Sequence, residues 1–171
     1  MTDLIKWAYR QAILTGSTDT WEEYDDELKA FISAETVSRV FAVKSLHSLN
    51  PSLVILQEDL TSHFDCKVWS GGTWQYVEHK YRNVPSTRYR DCLLSAEKFN
   101  LCKEAGALVM FTFADGVWYL FDLAECNPRW SEVVRPKYTA VNYGKVAEKA
   151  AFLKYNEAIA SGRIGDDRQD S

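Results

Sequence analysis

The sequence predicts a mixed α/β sandwich in which a central mixed sheet is flanked by helices. Strand-forming runs at Leu53 to Leu56, Phe64 to Trp69, Trp74 to Arg82, Leu108 to Phe113 and Val117 to Leu123 alternate with segments of helical periodicity. Gly71-Gly72 and Asp115-Gly116 each join two such runs at hairpin spacing. At 171 residues and 46% hydrophobic, the chain can bury one core and is too short for two ordinary domains. A single domain is therefore expected over residues 1–161, with the polar GRIGDDRQDS, residues 162–171, as a mobile tail.

Taken in order, residues 3 to 14 read as a short helix ended by Gly16. Ser17 or Thr18 then caps a long helix from about Asp19 to Ser48. At 100° per residue, Trp21, Tyr24, Leu28, Phe31, Ile32, Val43, Leu46 and Leu49 fall on one stripe, with Glu35 in its middle and Arg39 close by. Glu35 is either half of an i, i+4 ion pair with Arg39 or a carboxylate aimed at a site. LVIL, after Asn50-Pro51, reads as a buried strand, and the hairpin 64–69 and 74–82 is expected next. Arg90 to Leu94 is a further short strand, and Ser95 caps a helix that stops at Gly106. Leu108 to Phe113 and Val117 to Leu123 are apolar on both faces and belong in the middle of a sheet. Val133 to Asn142 contains Arg135-Pro136, which confines it to an edge strand or a loop, and Lys145 to Ala160 reads as an amphipathic helix.

Composition narrows the functional classes. No apolar run approaches the ~20 residues that cross a bilayer, and the N-terminus has no signal-peptide pattern, so a cytoplasmic protein without a membrane partner is expected. Cys66, Cys92, Cys102 and Cys126 are widely spaced, as ordinary reduced thiols would be. A net charge of -4 argues against coating nucleic acid by bulk positive charge, though not against a local basic patch.

The hairpin carries the chemistry. With Gly71-Gly72 as a two-residue loop, Ser70 pairs with Thr73, and every facing pair has numbers that sum to 143. Asp65 then faces Glu78. Facing side chains lie about 4.5 to 5.5 Å apart at Cβ, where like charges destabilise a sheet, so something must compensate. Lys80, two residues beyond Glu78 on the same face, supplies one positive charge. Mg²⁺, which is usually held by one or two acids together with water and phosphate oxygens, would supply the rest. The acid-x-Lys triplet alone is uninformative, since roughly 1.5 are expected by chance at this composition. Glu27-Leu28-Lys29, Asp65-Cys66-Lys67 and Glu78-His79-Lys80 all occur. What distinguishes the last is the acid facing it.

Asp65 on one strand and Glu78-His79-Lys80 on the next resemble the PD-(D/E)XK nuclease superfamily, and the resemblance spans about residues 19 to 123. Phe64 stands where the family has proline, and His79 fills a middle position that is usually apolar. The resemblance implies a restriction endonuclease-like three-layer sandwich and a Mg²⁺-dependent nuclease, with Mn²⁺ as a substitute ion. It implies that Asp65 and Glu78 hold the metal with the backbone carbonyl of His79, that Glu35 completes the site through a water, and that Lys80 activates the attacking water. Arg82, Arg88, Arg90 and Lys98 are candidate nucleic-acid contacts, Lys98 in the first turn of a helix whose N-terminus favours phosphate. DNA is the expected partner, with RNA left open, and a homodimer is permitted by the aromatic content. His47 and His63 are surface or packing histidines in this reading, His63 on the Asp65 face. The alternative is a catalytically inactive member of the fold that binds nucleic acid or serves in assembly, keeping Asp65, Glu78 and Lys80 as a structural charge cluster.

Overall fold

A computed structural model describes residues 26–58, 62–139 and 142–165, without side chains for 26–36, 135–139 and 142–146. The predicted helix at 3 to 14 and the first turns of the long helix lie outside these residues.

The long helix, α1, spans Asp26–Leu49. Its buried side chains Ala42, Ser45 and Leu46 recur at the three- and four-residue spacing of one helical face. Leu49, expected on that stripe, is exposed at the helix end. Six strands form the main sheet in the order β1 (Val54–Gln57), β2 (Cys66–Ser70), β3 (Thr73–Arg82), β5 (Leu108–Phe113), β6 (Val117–Asp122) and β9 (Ala160–Arg163). Only the β3–β5 pairing is parallel, which makes the sheet mixed. The chain crosses from β3 to β5 through β4 (Asp91–Ser95) and the second helix, α2 (Ala96–Ala105). Ser95 Oγ accepts the Lys98 N–H at the start of α2, and Gly106 ends it at φ 64°. Both caps were legible in the sequence.

The Gly71-Gly72 loop has φ of 58° and 86°, the left-handed backbone that a two-residue hairpin of this twist requires. Ser70 pairs with Thr73 and the register runs to Cys66 opposite Val77, as the sum of 143 demands.

Two apolar cores lie on opposite faces of the main sheet. Leu46 of α1 packs with Cys66, Val68, Val77, Met110, Trp118 and Leu120 on one side. On the other, Val109, Phe111 and Phe121 meet Phe99 and Cys102 of α2, together with Cys92, Leu94, Ala151 and Leu153 of a second sheet. That second sheet has the order β4, β8 (Asn142–Lys154), β7 (Arg129–Thr139), all antiparallel. The expected layering of sheet between helices is thus corrected on one side, where α2 shares its layer with a three-stranded sheet.

Most of the segment from Lys145 to Ala160, expected as a helix, belongs instead to β8, followed by a 3-10 turn at Tyr155–Glu157 and the start of β9. Its Ala, Lys and Glu content favours helix, but propensity is a weak prior and backbone pairing with neighbouring strands overrides it. β8 pairs with β7 over residues 142–152 and with β4 over residues 150–154, so it is flanked on both sides where the small Ala150 and Ala151 are fully buried. Pro136 lies on β7, an edge strand, where its missing N–H costs no interior ladder bond.

Of the stretch expected as a tail, residues 162–165 are described. Gly162 and Arg163 pair with Trp118 and Val117, and the Ile164 N–H bonds the Gly116 carbonyl. A Cβ at Gly162 would lie 2.6 Å from Trp118 Cζ2, so only glycine lets this strand lie flat against that ring. Trp118 in turn donates to Ser48 Oγ at 2.7 Å, tying the sheet to the end of α1.

All four cysteines are free and buried. Burial, then the nearby Asp65 charge, pushes the Cys66 thiol up to about 12, and burial, then Glu78, does the same for Cys102. No helix among the described residues is long and apolar enough to cross a membrane.

Candidate functional site

Strand alternation sorts β3 into two faces. Glu78 and Lys80 lie on the α2 side, and His79 points to α1. Glu78 is only 3% exposed, yet both of its oxygens are met. Lys80 Nζ lies 2.6 Å from Oε1 and Lys98 Nζ lies 3.2 Å from Oε2. The lysines remain partly in solvent, at 34% and 26% exposure, which lets their charge stay hydrated while neutralising a buried carboxylate. Lys98 also donates to the His63 carbonyl at 2.9 Å, so the first turn of α2 is bound to the chain just before β2.

Asp65 sits at the entry to β2, where its carbonyl accepts the Glu58 N–H and extends the β1–β2 ladder by one residue. Its carboxylate accepts the His79 N–H at 2.7 Å. In a continuing antiparallel ladder that N–H would go to the carbonyl of residue 64. The Asp65 side chain takes the place of that bond and ends the ladder. One Asp65 oxygen is thereby fixed against the backbone of the residue separating Glu78 from Lys80.

The His79 side chain belongs to a different environment. Its Nδ1 lies 2.9 Å from Ser38 Oγ and its Nε2 2.8 Å from Thr112 Oγ1, which is 2.8 Å from Ser45 Oγ. Burial, reinforced by the Lys80 charge, lowers the imidazole pKa to about 3, so the ring is neutral. A neutral ring with one donor and one acceptor suits two hydroxyl partners, each of which can donate or accept.

Lys98, expected as a nucleic-acid contact, therefore joins the cluster of Asp65, Glu78 and Lys80 through Glu78, while the imidazole of His79 lies on the other face of β3. Glu35 lies within α1, but its side chain is outside the described residues. Among the described residues no group of three or more His, Cys, Asp or Glu is arranged to hold a metal. The acids at hand, Asp65 and Glu78, are the hard oxygen donors that Mg²⁺ takes in ones and twos. A cation on Glu78 would compete with two ammoniums already placed there.

The other basic residues are dispersed. Arg82 donates to the Leu93 carbonyl and stacks over Phe111 with its guanidinium 5.4 Å from the ring centroid, so it helps hold β4 against the main sheet. Arg88, over Tyr89, and Arg90 are exposed on the segment between β3 and β4. His47 lies at the exposed end of α1, its Nε2 3.3 Å from the Leu53 carbonyl.

The contact between Lys98 and Glu78 was not legible, because nothing in a 20-residue separation signals that α2 folds back over β3. The hydroxyl network left one faint mark: Ser45 and Thr112 interrupt otherwise apolar positions of a helix face and a central strand.

No family model matches the chain, and no curated protein or solved structure matches it.

Proposed function

We propose that the protein is a Mg²⁺-dependent nuclease of the PD-(D/E)XK kind that hydrolyses phosphodiester bonds of DNA. The observation that carries this reading is the gathering of Asp65, Glu78 and Lys80 around one short stretch of β3, with Lys98 added from α2. The order of α1, β1 to β3, then β4 and α2, and a strand β5 parallel to β3 supports a restriction endonuclease-like core.

Asp65, Glu78 and the His79 carbonyl would hold the ion, for which Mn²⁺ is a substitute. When bound it supplies positive charge to the phosphoryl oxygens. Lys80 orients the attacking water beside Glu78 and helps to deprotonate it. Lys98 offers an ammonium to a phosphate oxygen at a helix N-terminus, where backbone N–H groups also favour an anion. Arg88 and Arg90, both exposed, would contact the nucleic-acid backbone.

A second reading is favoured by one specific observation: both Glu78 oxygens are already met by lysines, which an inactive binding or assembly protein would also show. Incubating the protein with plasmid, linear duplex and branched DNA in Mg²⁺ or Mn²⁺ separates the two. We expect cleavage by the parent and at least about a hundredfold loss in Lys80→Ala, the scale of general-base catalysis. Equal cleavage by both proteins would point to a contaminant. We also expect Mg²⁺ to raise the melting temperature of the parent but not of Asp65→Asn. Absence of both cleavage and a metal-dependent shift would leave the assembly reading.

A further inference from the structure

Further along β3 than the charged cluster, a cavity of about 530 Å³ opens between the end of the strand, the segment that follows it, and the β4–β8 pair. Its size falls within the roughly 300–1,000 Å³ of pockets that enclose small organic molecules. Tyr89, Phe113 and Phe152 supply aromatic walls, while Arg82, Asn83 and Asp91 supply polar groups. We propose that this cavity takes the base of the nucleotide adjacent to the phosphate at Lys80. The polymer in that statement rests on the nuclease reading, whereas the base-binding chemistry rests on the cavity itself.

Position is the first argument. Arg82 lies two residues beyond Lys80 on the same face of β3, about 6.6 Å along the strand. In the cavity a base would be enclosed singly, out of the stack, as in enzymes that act on extruded bases.

Charge is the second. Asp91 is paired with Arg129 at 3.4 Å, and the Arg82 guanidinium is fixed on the Leu93 carbonyl. With acid and base both present and engaged, the cavity has no net pull on a phosphate, and its aromatic walls suit a flat, uncharged ring. Phe152 is stiffened by the Arg129 guanidinium, 4.0 Å from the centre of its ring. Asn83 and Asp91 offer hydrogen-bonding groups to the edge of the base.

Pre-organisation is the third. Tyr155 Oη donates to the carbonyls of both Ser86 and Tyr89, and Asp115 Oδ2 accepts the Ser86 N–H and O–H. The rim that presents Tyr89 is thus pinned at several points before any ligand arrives, which lowers the entropy lost on binding.

The test is an NMR titration of the full chain in EDTA with two probes, deoxyadenosine 5′-monophosphate and 2-deoxyribose 5-phosphate, which lacks the base. The nucleotide should bind at least about tenfold more tightly. Tyr89→Ala and Phe152→Leu should each weaken nucleotide binding by roughly fivefold or more, as expected for a lost stacking surface, and leave the sugar phosphate unchanged. Tyr89 is 56% exposed, so its removal leaves the fold intact. Equal affinity for the two probes, or nucleotide binding unaltered in both variants, overturns the proposal. No metal and no cleavage enter this measurement. Failed base binding beside intact Lys80-dependent cleavage would remove the pocket alone, and base binding without cleavage would remove the nuclease reading alone.

Discussion

One residue apart on β3, His79 and Glu78 are buried by opposite means. On the α1 face, the neutral imidazole closes a chain of hydroxyls from Ser38 to Ser45. On the α2 face, a carboxylate sits between two ammoniums that reach out to solvent. The first arrangement is complete within the protein and offers nothing to a ligand. The second keeps its positive charge at the surface, partly hydrated, which is where the proposed cation and phosphate would have to compete for the partners. A single strand thus divides structural from chemical polarity by its alternation alone.

This contrast is broken most severely by Lys80→Ala, for which the cleavage assay should read at least about a hundredfold loss. Next in size is the joint removal of both lysines. Either alanine substitution alone should cost at most about 1 kcal/mol, because the other ammonium remains on Glu78 and the pairs are partly hydrated. The double variant leaves a buried carboxylate unpaired and should cost about 3 kcal/mol in urea denaturation, more than the sum of the singles. Simple additivity would show that Glu78 is better hydrated than its burial suggests.

On the other face, His79→Leu takes one partner from each of the Ser38 and Thr112 hydroxyls and should cost about 1 to 3 kcal/mol. It should also remove a pH dependence. The unfolded imidazole takes up a proton below about 6.5, whereas the folded ring stays neutral down to about 3. The unfolded chain then binds more protons, so the His79 contribution is full above about pH 6.5 and is lost as the pH falls towards 3. The loss approaches about 1.4 kcal/mol per pH unit. Denaturation at pH 7.5 and 5.5 should show the parent losing about 1 kcal/mol more than His79→Leu. Smallest of all, Ser38→Ala removes one half-buried partner of the ring and should cost about 0.5 to 1 kcal/mol. Parallel pH profiles of parent and His79→Leu would contradict a neutral buried ring.

The parts of this arrangement that could be read beforehand are those set by short-range rules. Gly71-Gly72 fixes the loop at two residues, the loop fixes the register, and the register fixes which side chains share a face. Ser95 and Gly106 bracket α2 in the same local way. What escaped the sequence depends on partners distant along the chain. β8 has helix-forming composition and becomes a strand because β4 and β7 flank it. Asp65 was expected to face Glu78 across the ladder, and the acceptance of the His79 N–H by its carboxylate shows how a ladder end can redirect a side chain that simple pairing would place.

The cysteines give the fold an internal clock. Cys66 lies in the layer beneath α1, and Cys92, Cys102 and Cys126 lie in the layer beneath the smaller sheet. Alkylation by iodoacetamide can proceed only as fast as each layer opens, so the two layers can be timed separately in one unmodified chain.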